Sequence, residues 1–215
     1  MEILYEDASV IVCIKPATLV SEQTPDGSGF ADLLAARNGG YIGTVHRLDR
    51  GVGGVMVYAK TQDAAAKLSR QVQERTLEKE YLAIVHGTPE EHSAELRDLL
   101  FHDRRLNKSF VVDRVRNGVK EAILDYVVQK TLETDAHGTL SLVRVRLHTG
   151  RTHQIRVQFS SRRHPLLGDG KYGASDRCPI ALFGARIAFL HPKTGKKCSF
   201  EVSPTDAVWL PFLEM

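Results

Sequence analysis

Two long β-prone runs, "KEAILDYVVQKTL" and "TLSLVRVRLH", flank "ETDAHG", which has the turn composition of a hairpin. That pair reads as a hairpin, and further short apolar runs read as strands. These are "EILYE", "SVIVCIK" (ended by Pro16), "GGVMVYAK", "KEYLAIVHG", "IALFGARIAFLHP" and "GKKCSFEV". Three segments read as helices instead. "FADLLAARNGG" puts Phe30, Leu33 and Leu34 on one side, with Gly39 to stop it. Thr61 is placed to cap "QDAAAKLSRQVQER", with Asp63 in its first turn. "THQIRVQFSSRR" fits a helix through Ile155 and Phe159 and a strand through Ile155, Val157 and Phe159; its length and helix-tolerant residues favour the helix. From Thr88 to about Gly118 the chain is charged and offers only short strands around "AEL" and "SFVVD". With 215 residues, no internal repeat and no linker, the economical reading is one mixed α+β domain over residues 1–215.

The chain has 29 Lys and Arg against 26 Asp and Glu, a net charge of +3 that points only weakly to a polyanionic partner. The distribution says more. Between Arg144 and Arg186 lie nine cations, including Arg151, Arg156, Arg162, Arg163 and Lys171, against two anions, Asp169 and Asp176. That concentration suits a phosphate-binding face, with a merely solvated surface as the bland alternative. Cys13, Cys178 and Cys198 show no C-x-x-C spacing, so neither a disulfide framework nor a zinc ribbon is indicated, and reduced thiols fit best. There is no basic n-region at the start and no apolar run of membrane-spanning length, so a cytoplasmic protein with no membrane partner is expected.

Several chemistries lose their support. "GDGKYG" is not a G-x-x-x-x-G-K-[ST] phosphate loop, and the "GVGG" at 51–54 is not a G-x-G-x-x-G fingerprint. His148 and His153 are five apart rather than four, and no H-E-x-x-H occurs. No nucleotide cofactor and no metal are expected.

One stretch resists a purely structural account. In "TVHRLDRGVGGVMVYAK", residues 44–60, Asp49 sits between Arg47 and Arg50 just before three glycines and a strand. A carboxylate beside a guanidinium is held ionised, which makes it a standing nucleophile or base rather than a proton donor. Gly51, Gly53 and Gly54 would let the backbone turn sharply and a flat ligand approach closely. Taken alone, the stretch is better read as a structural turn in which Asp49 caps backbone amides while the arginines are solvated.

The order of motifs along the chain adds to that. "ILYEDASVIVCIKPATLV", "HRLDRGVGG", "KEYLAIVHG", "HTGRTHQIRVQF", "HPLLGDGKYG" and "ARIAFLHPKTG" resemble, in sequence, the motifs of the RluA-type pseudouridine synthases, over nearly the whole chain. The resemblance implies a mixed, mostly antiparallel sheet with flanking helices and a central RNA-binding cleft. It implies an isomerase that converts uridines of structured ribosomal or transfer RNA to pseudouridine without a cofactor. It makes Asp49 the catalytic aspartate, Tyr81 the tyrosine whose ring packs on the target base, and Arg156 the basic residue that pairs with the aspartate. Arg47 matches the arginine that takes up the space of a nucleotide leaving its stack. Arg151, Arg162, Arg163 and Lys171 are candidate RNA contacts from the basic segment.

The chemistry agrees with this picture. The isomerisation needs neither redox change nor external energy, and hydrolysis of a glycosidic bond would ordinarily need a second positioned carboxylate, which the motifs do not supply. Extruding a base costs a few kcal/mol of unstacking and favours loops. Covalent addition by Asp49 and abstraction of a ribose proton by Asp49 both remain open, with the family leaning toward the second. The chain departs from the pattern at Val52 and Gly53, where threonine and serine are frequent, and at Gly184, where histidine is common. Because the resemblance begins almost at Met1, the small N-terminal S4 RNA-binding domain of many relatives is not expected, and a monomer is the default. The competing function is that of a catalytically silent RNA-binding or ribosome-assembly protein.

Overall fold

The structure is a computed structural model that describes residues 1–213. The chain forms two compact units, one of residues 1–79 with 183–204 and one of 80–182 with the C-terminal segment from 205.

The first unit starts with strands β1 (Glu2–Glu6) and β2 (Val10–Lys15), paired antiparallel. Asp7 makes the turn between them by accepting the Ser9 and Val10 N–H groups at 2.7 and 2.9 Å. Helix α1 (Phe30–Asn38) and the two-residue β3 (Gly43–Thr44) precede β4 (Gly53–Ala59), which lies antiparallel to β2. Gly39 ends α1 in the left-handed region, as its position suggests. Phe30, Ala31 and Leu34 are the buried residues of α1, however, and Leu33 is 44% exposed, because the helix uses Ala31 at its contact and turns Leu33 outward. Helix α2 (Gln62–Gln73) begins where Thr61 Oγ1 accepts the Ala64 N–H at 3.1 Å, and buries Ala64 and Leu68. Its Leu68 packs with Val10, Val12, Val55, Val57, Ile187 and Phe189 in the core of this unit.

The second unit holds the sheet implied by the long hairpin. Strand β5 (Glu78–His86) is followed by β6 (Ser93–Asp103), β7 (Lys108–Val112), β8 (Val119–Thr134) and β9 (Gly138–Leu147). The pairings β5·β9, β9·β8, β8·β6 and β6·β7 are all antiparallel. The β8–β9 hairpin falls where the sequence places it. β6 is an 11-residue strand rather than a short one, because it pairs with β8 over residues 93–101 and with β7 over 99–103. Neither pairing is visible in the local pattern. Residues 154–160 resolve the ambiguity in favour of a helix, α3 (Gln154–Ser160), which buries Ile155, Val157 and Phe159.

Two last strands, β10 (Leu182–Leu190) and β11 (Lys197–Glu201), run antiparallel to each other, and β10 lies parallel to β4 at Gly53 and Gly54. A short helix, α4 (Leu210–Leu213), follows the buried Trp209. Among the described residues no helix is long and apolar enough to cross a membrane.

Gly54 explains part of the glycine run, and not by ligand access. Its φ is 137°, and a Cβ there would lie 2.4 Å from the Gly184 backbone N and O. The two strands touch main chain to main chain. Gly54→Ala is therefore expected to destabilise the protein by about 3 kcal/mol or more, through strain and clash together. Thermal unfolding checks this, and a variant as stable as wild type would remove the close approach as the reason for the glycine.

Candidate active site

The residues singled out by sequence fall in both units, Asp49 in the first and Tyr81 and Arg156 in the second. Each set is built by its own surroundings.

Asp49 follows a segment whose backbone is pinned. The Leu48 N–H donates to Ser21 Oγ at 2.9 Å, and the same hydroxyl donates back to the Leu48 carbonyl at 2.9 Å. Ser21 and Leu48 are both buried. One residue later the chain turns, the Val52 N–H closing onto the Asp49 carbonyl at 3.0 Å. Val52 is itself buried, so an apolar side chain fills that position. Gly184 leaves room beside Leu48, whose methyls would lie 3.5 Å from a Cβ at that position. Asp49 is partly exposed at the end of this pinned segment.

Beneath it lies a cation that the sequence reading missed. Lys15, the last residue of β2, is fully buried, and its ammonium donates to the carbonyls of Pro16 and Leu19 at 2.7 Å each and of Arg50 at 3.5 Å. Burial pulls its pKa down to about 8, while the charges of Asp49 and Glu22 pull it up. It stays protonated at neutral pH. The signal available in "VIVCIKP" was strand parity, since Ile11, Cys13 and Lys15 share one face of β2. Arg47, by contrast, is exposed and paired with Glu22 at 2.8 Å.

His46 is buried, and its Nε2 accepts the Val57 N–H of β4 at 3.2 Å. Loss of solvation, with a smaller push from Lys79, takes its pKa down to about 3, so the ring is neutral. Its proton then sits on Nδ1, which has no hydrogen-bond partner among the described residues.

In the second unit Tyr81 is buried in β5, opposite Val145. Arg156 projects from α3 and is gripped by Asp169, Nε to Oδ2 at 2.7 Å and Nη2 to Oδ1 at 2.8 Å. The guanidinium also lies over the Tyr172 ring, 5.1 Å from its centroid. Tyr172 in turn accepts the Ser109 N–H at 2.8 Å and meets His153 Nδ1 at 3.0 Å. Asp169 and Tyr172, in "GDGKYG", were not assigned roles from sequence, because nothing local says which cation their loop serves.

The basic segment is less available than its charge suggests. Arg162 makes a two-pronged pair with Asp98 at 2.9 and 3.1 Å. Arg151 donates to the Glu121 carbonyl at 2.7 Å, and Lys171 to that of Asn107 at 2.9 Å. Arg163 is exposed in a left-handed turn, with φ 66°. A second basic surface appears in the stretch the sequence left unassigned: Arg104 and Arg105 at the β6–β7 turn, with Arg114, Arg116 and Lys120 beyond β7, are all exposed.

For His46 the sign of the pH effect follows from its pKa. Between about pH 6.5 and 3 the unfolded chain takes up a proton that the native chain refuses, so this contribution to stability is present above pH 6.5 and lost on acidification. The stability difference between wild type and His46→Gln should shrink, by roughly 1–2 kcal/mol, from pH 7.5 to about 5. Denaturant titrations at both pH values test it, and parallel losses in the two proteins would contradict it.

Comparison with known proteins agrees with the motif order. A family model described as RNA pseudouridylate synthase matches residues 9–161. The chain is 35% identical to a protein of Aquifex aeolicus called an uncharacterized RNA pseudouridine synthase, over 96% of this chain and 70% of that protein. It is also 35% identical to the ribosomal large subunit pseudouridine synthase D of Pseudomonas aeruginosa, over 98% of this chain and 70% of that one. Among solved structures, human RNA pseudouridylate synthase domain containing 1 superposes with a TM-score of 0.78 at 24% identity, covering 94% of this chain and 83% of that one, a likeness of fold.

Proposed function

The chain belongs to the RluA-type RNA pseudouridylate synthase family and is an RNA pseudouridine synthase, an isomerase, and we propose that its reaction turns on Asp49. In this reading the bond between uracil N1 and ribose C1′ breaks, the base turns, and C5 joins C1′. The C5 proton leaves to solvent and N1 takes one up, so atoms and electrons balance within the nucleotide.

The observation that carries the reading is the build of the Asp49 segment. Its backbone is pinned by Ser21 on one side and closed by Val52 on the other, over the buried ammonium of Lys15. A carboxylate so placed is pre-oriented, and a fixed attack geometry is a large share of what an enzyme contributes. Tyr81 packs on the target base, and Arg156 supplies the positive charge that accompanies the aspartate. Arg47 takes the space of the extruded nucleotide. Its pair with Glu22 is exposed on both sides, worth about 0–1 kcal/mol, and so is given up at little cost.

The substrate in this reading is a uridine in a loop of structured ribosomal or transfer RNA, and the name of the Pseudomonas relative favours ribosomal RNA. The enzyme acts in the cytoplasm as a monomer. Phosphates are met by Arg163 and by the exposed arginines of the β6–β7 turn, with Arg151, Arg162 and Lys171 contributing from their tethered positions.

Tritium release from 5-tritiated uridine, in rRNA and tRNA fractions from cells lacking the gene, tests the reaction. Wild type should release tritium from one fraction, and Asp49→Asn should be slower by at least about 10²-fold while keeping its RNA affinity. Tight binding by wild type without release would instead favour the catalytically silent RNA-binding protein. Replacing Arg104 and Arg105 together by Glu should weaken RNA binding and flatten its salt dependence by roughly 1 to 2 in log–log slope. An unchanged slope would take that turn out of the RNA contact.

A further inference from the structure

The Arg156–Asp169 pair is expensive for a purely structural contact. The Asp169 side chain is 1% exposed and that of Arg156 13%. Taking both charges out of water costs several kcal/mol per ion, which mutual attraction about offsets, so such pairs are weak sources of stability. What two parallel N–H···O bonds do supply is orientation, because they fix both the plane and the rotation of the guanidinium.

The carboxylate is also placed independently of the arginine. Gly168, directly before it, has φ 77°, and a Cβ there would lie 2.4 Å from the Pro179 carbonyl oxygen. After it, the Asp169 carbonyl accepts the N–H groups of Tyr172 at 3.0 Å and Ala174 at 3.2 Å. The same turn delivers Tyr172 to the face of the guanidinium, with its hydroxyl anchored by the Ser109 N–H of β7 and its carbonyl by Ser160 Oγ at 2.6 Å. One backbone turn thus presents a carboxylate to the edge and a ring to the face of Arg156.

We propose that Asp169 is a positioning residue for the isomerisation, acting through Arg156, whose guanidinium it holds in the orientation the reaction uses. The proposal rests on the part assigned to Arg156 above, and the two are tested separately.

Arg156→Gly removes the guanidinium, and free guanidinium chloride well below denaturing concentration offers a replacement. Single-turnover tritium release per folded molecule, on the RNA fraction that carries the target, should fall on the order of 10²-fold in Arg156→Gly. Added guanidinium should restore it about tenfold or more while Asp169 is present to seat the ion. In Arg156→Gly with Asp169→Asn, guanidinium should restore nothing. Equal restoration in the double variant would overturn the role of Asp169 and leave that of Arg156 standing. Turnover by Arg156→Gly at the wild-type rate would sink both. Asp169→Asn by itself gives a second route if the glycine variant folds poorly. It should lower kcat with RNA affinity kept within about threefold, and Asp169→Glu should recover part of the loss. A change in KM alone, or none, would overturn the proposal.

Discussion

An ammonium group withdrawn from water has to be given oxygen ligands, and Lys15 takes its ligands from the backbone of Pro16, Leu19 and Arg50. That requirement ties the end of β2, the turn after Pro16 and the loop bearing Asp49 into one piece. Ser21 adds a second tie at Leu48, and the main-chain contact of Gly54 with Gly184 fixes where β4 starts. The Asp49 loop is held by polar bonds at its base and by an absence of side chains at its edge. Each of these ties removes flexibility from the loop.

The second unit handles charge in a similar way. Of the nine cations between Arg144 and Arg186, Arg144 is bound to Glu80, Arg156 to Asp169 and Arg162 to Asp98. A local excess of positive charge in the sequence therefore overstates the charge offered to a polyanion. The stretch around the β6–β7 turn shows the reverse. Its arginines are exposed, and a segment with no motif presents a basic surface. Counting charges locates basic regions; carboxylate partners decide which of them face solvent.

The sequence was most legible where the determinant is local. The β8–β9 hairpin was marked by its turn residues, α2 by Thr61, and the end of α1 by Gly39. α3 was readable only as a choice between two periods, and burial of Ile155, Val157 and Phe159 around a helix decided it. The burial of Ala31 in place of Leu33, and the full length of β6, were not readable. Both depend on which neighbour lies across the contact, and that neighbour is distant in the chain.

The order of motifs from "HRLD" through "HQIR" to "GDGKYG" is written in the sequence itself, and with it the family and the reaction class. A motif is legible because its residue types and their spacing are local to one stretch of chain. The buried partners of those residues, Lys15 by the Asp49 loop and Asp169 on Arg156, emerged only in three dimensions. An ionised side chain reads the same in a sequence whether water or a distant carbonyl solvates it, and only the tertiary structure decides which.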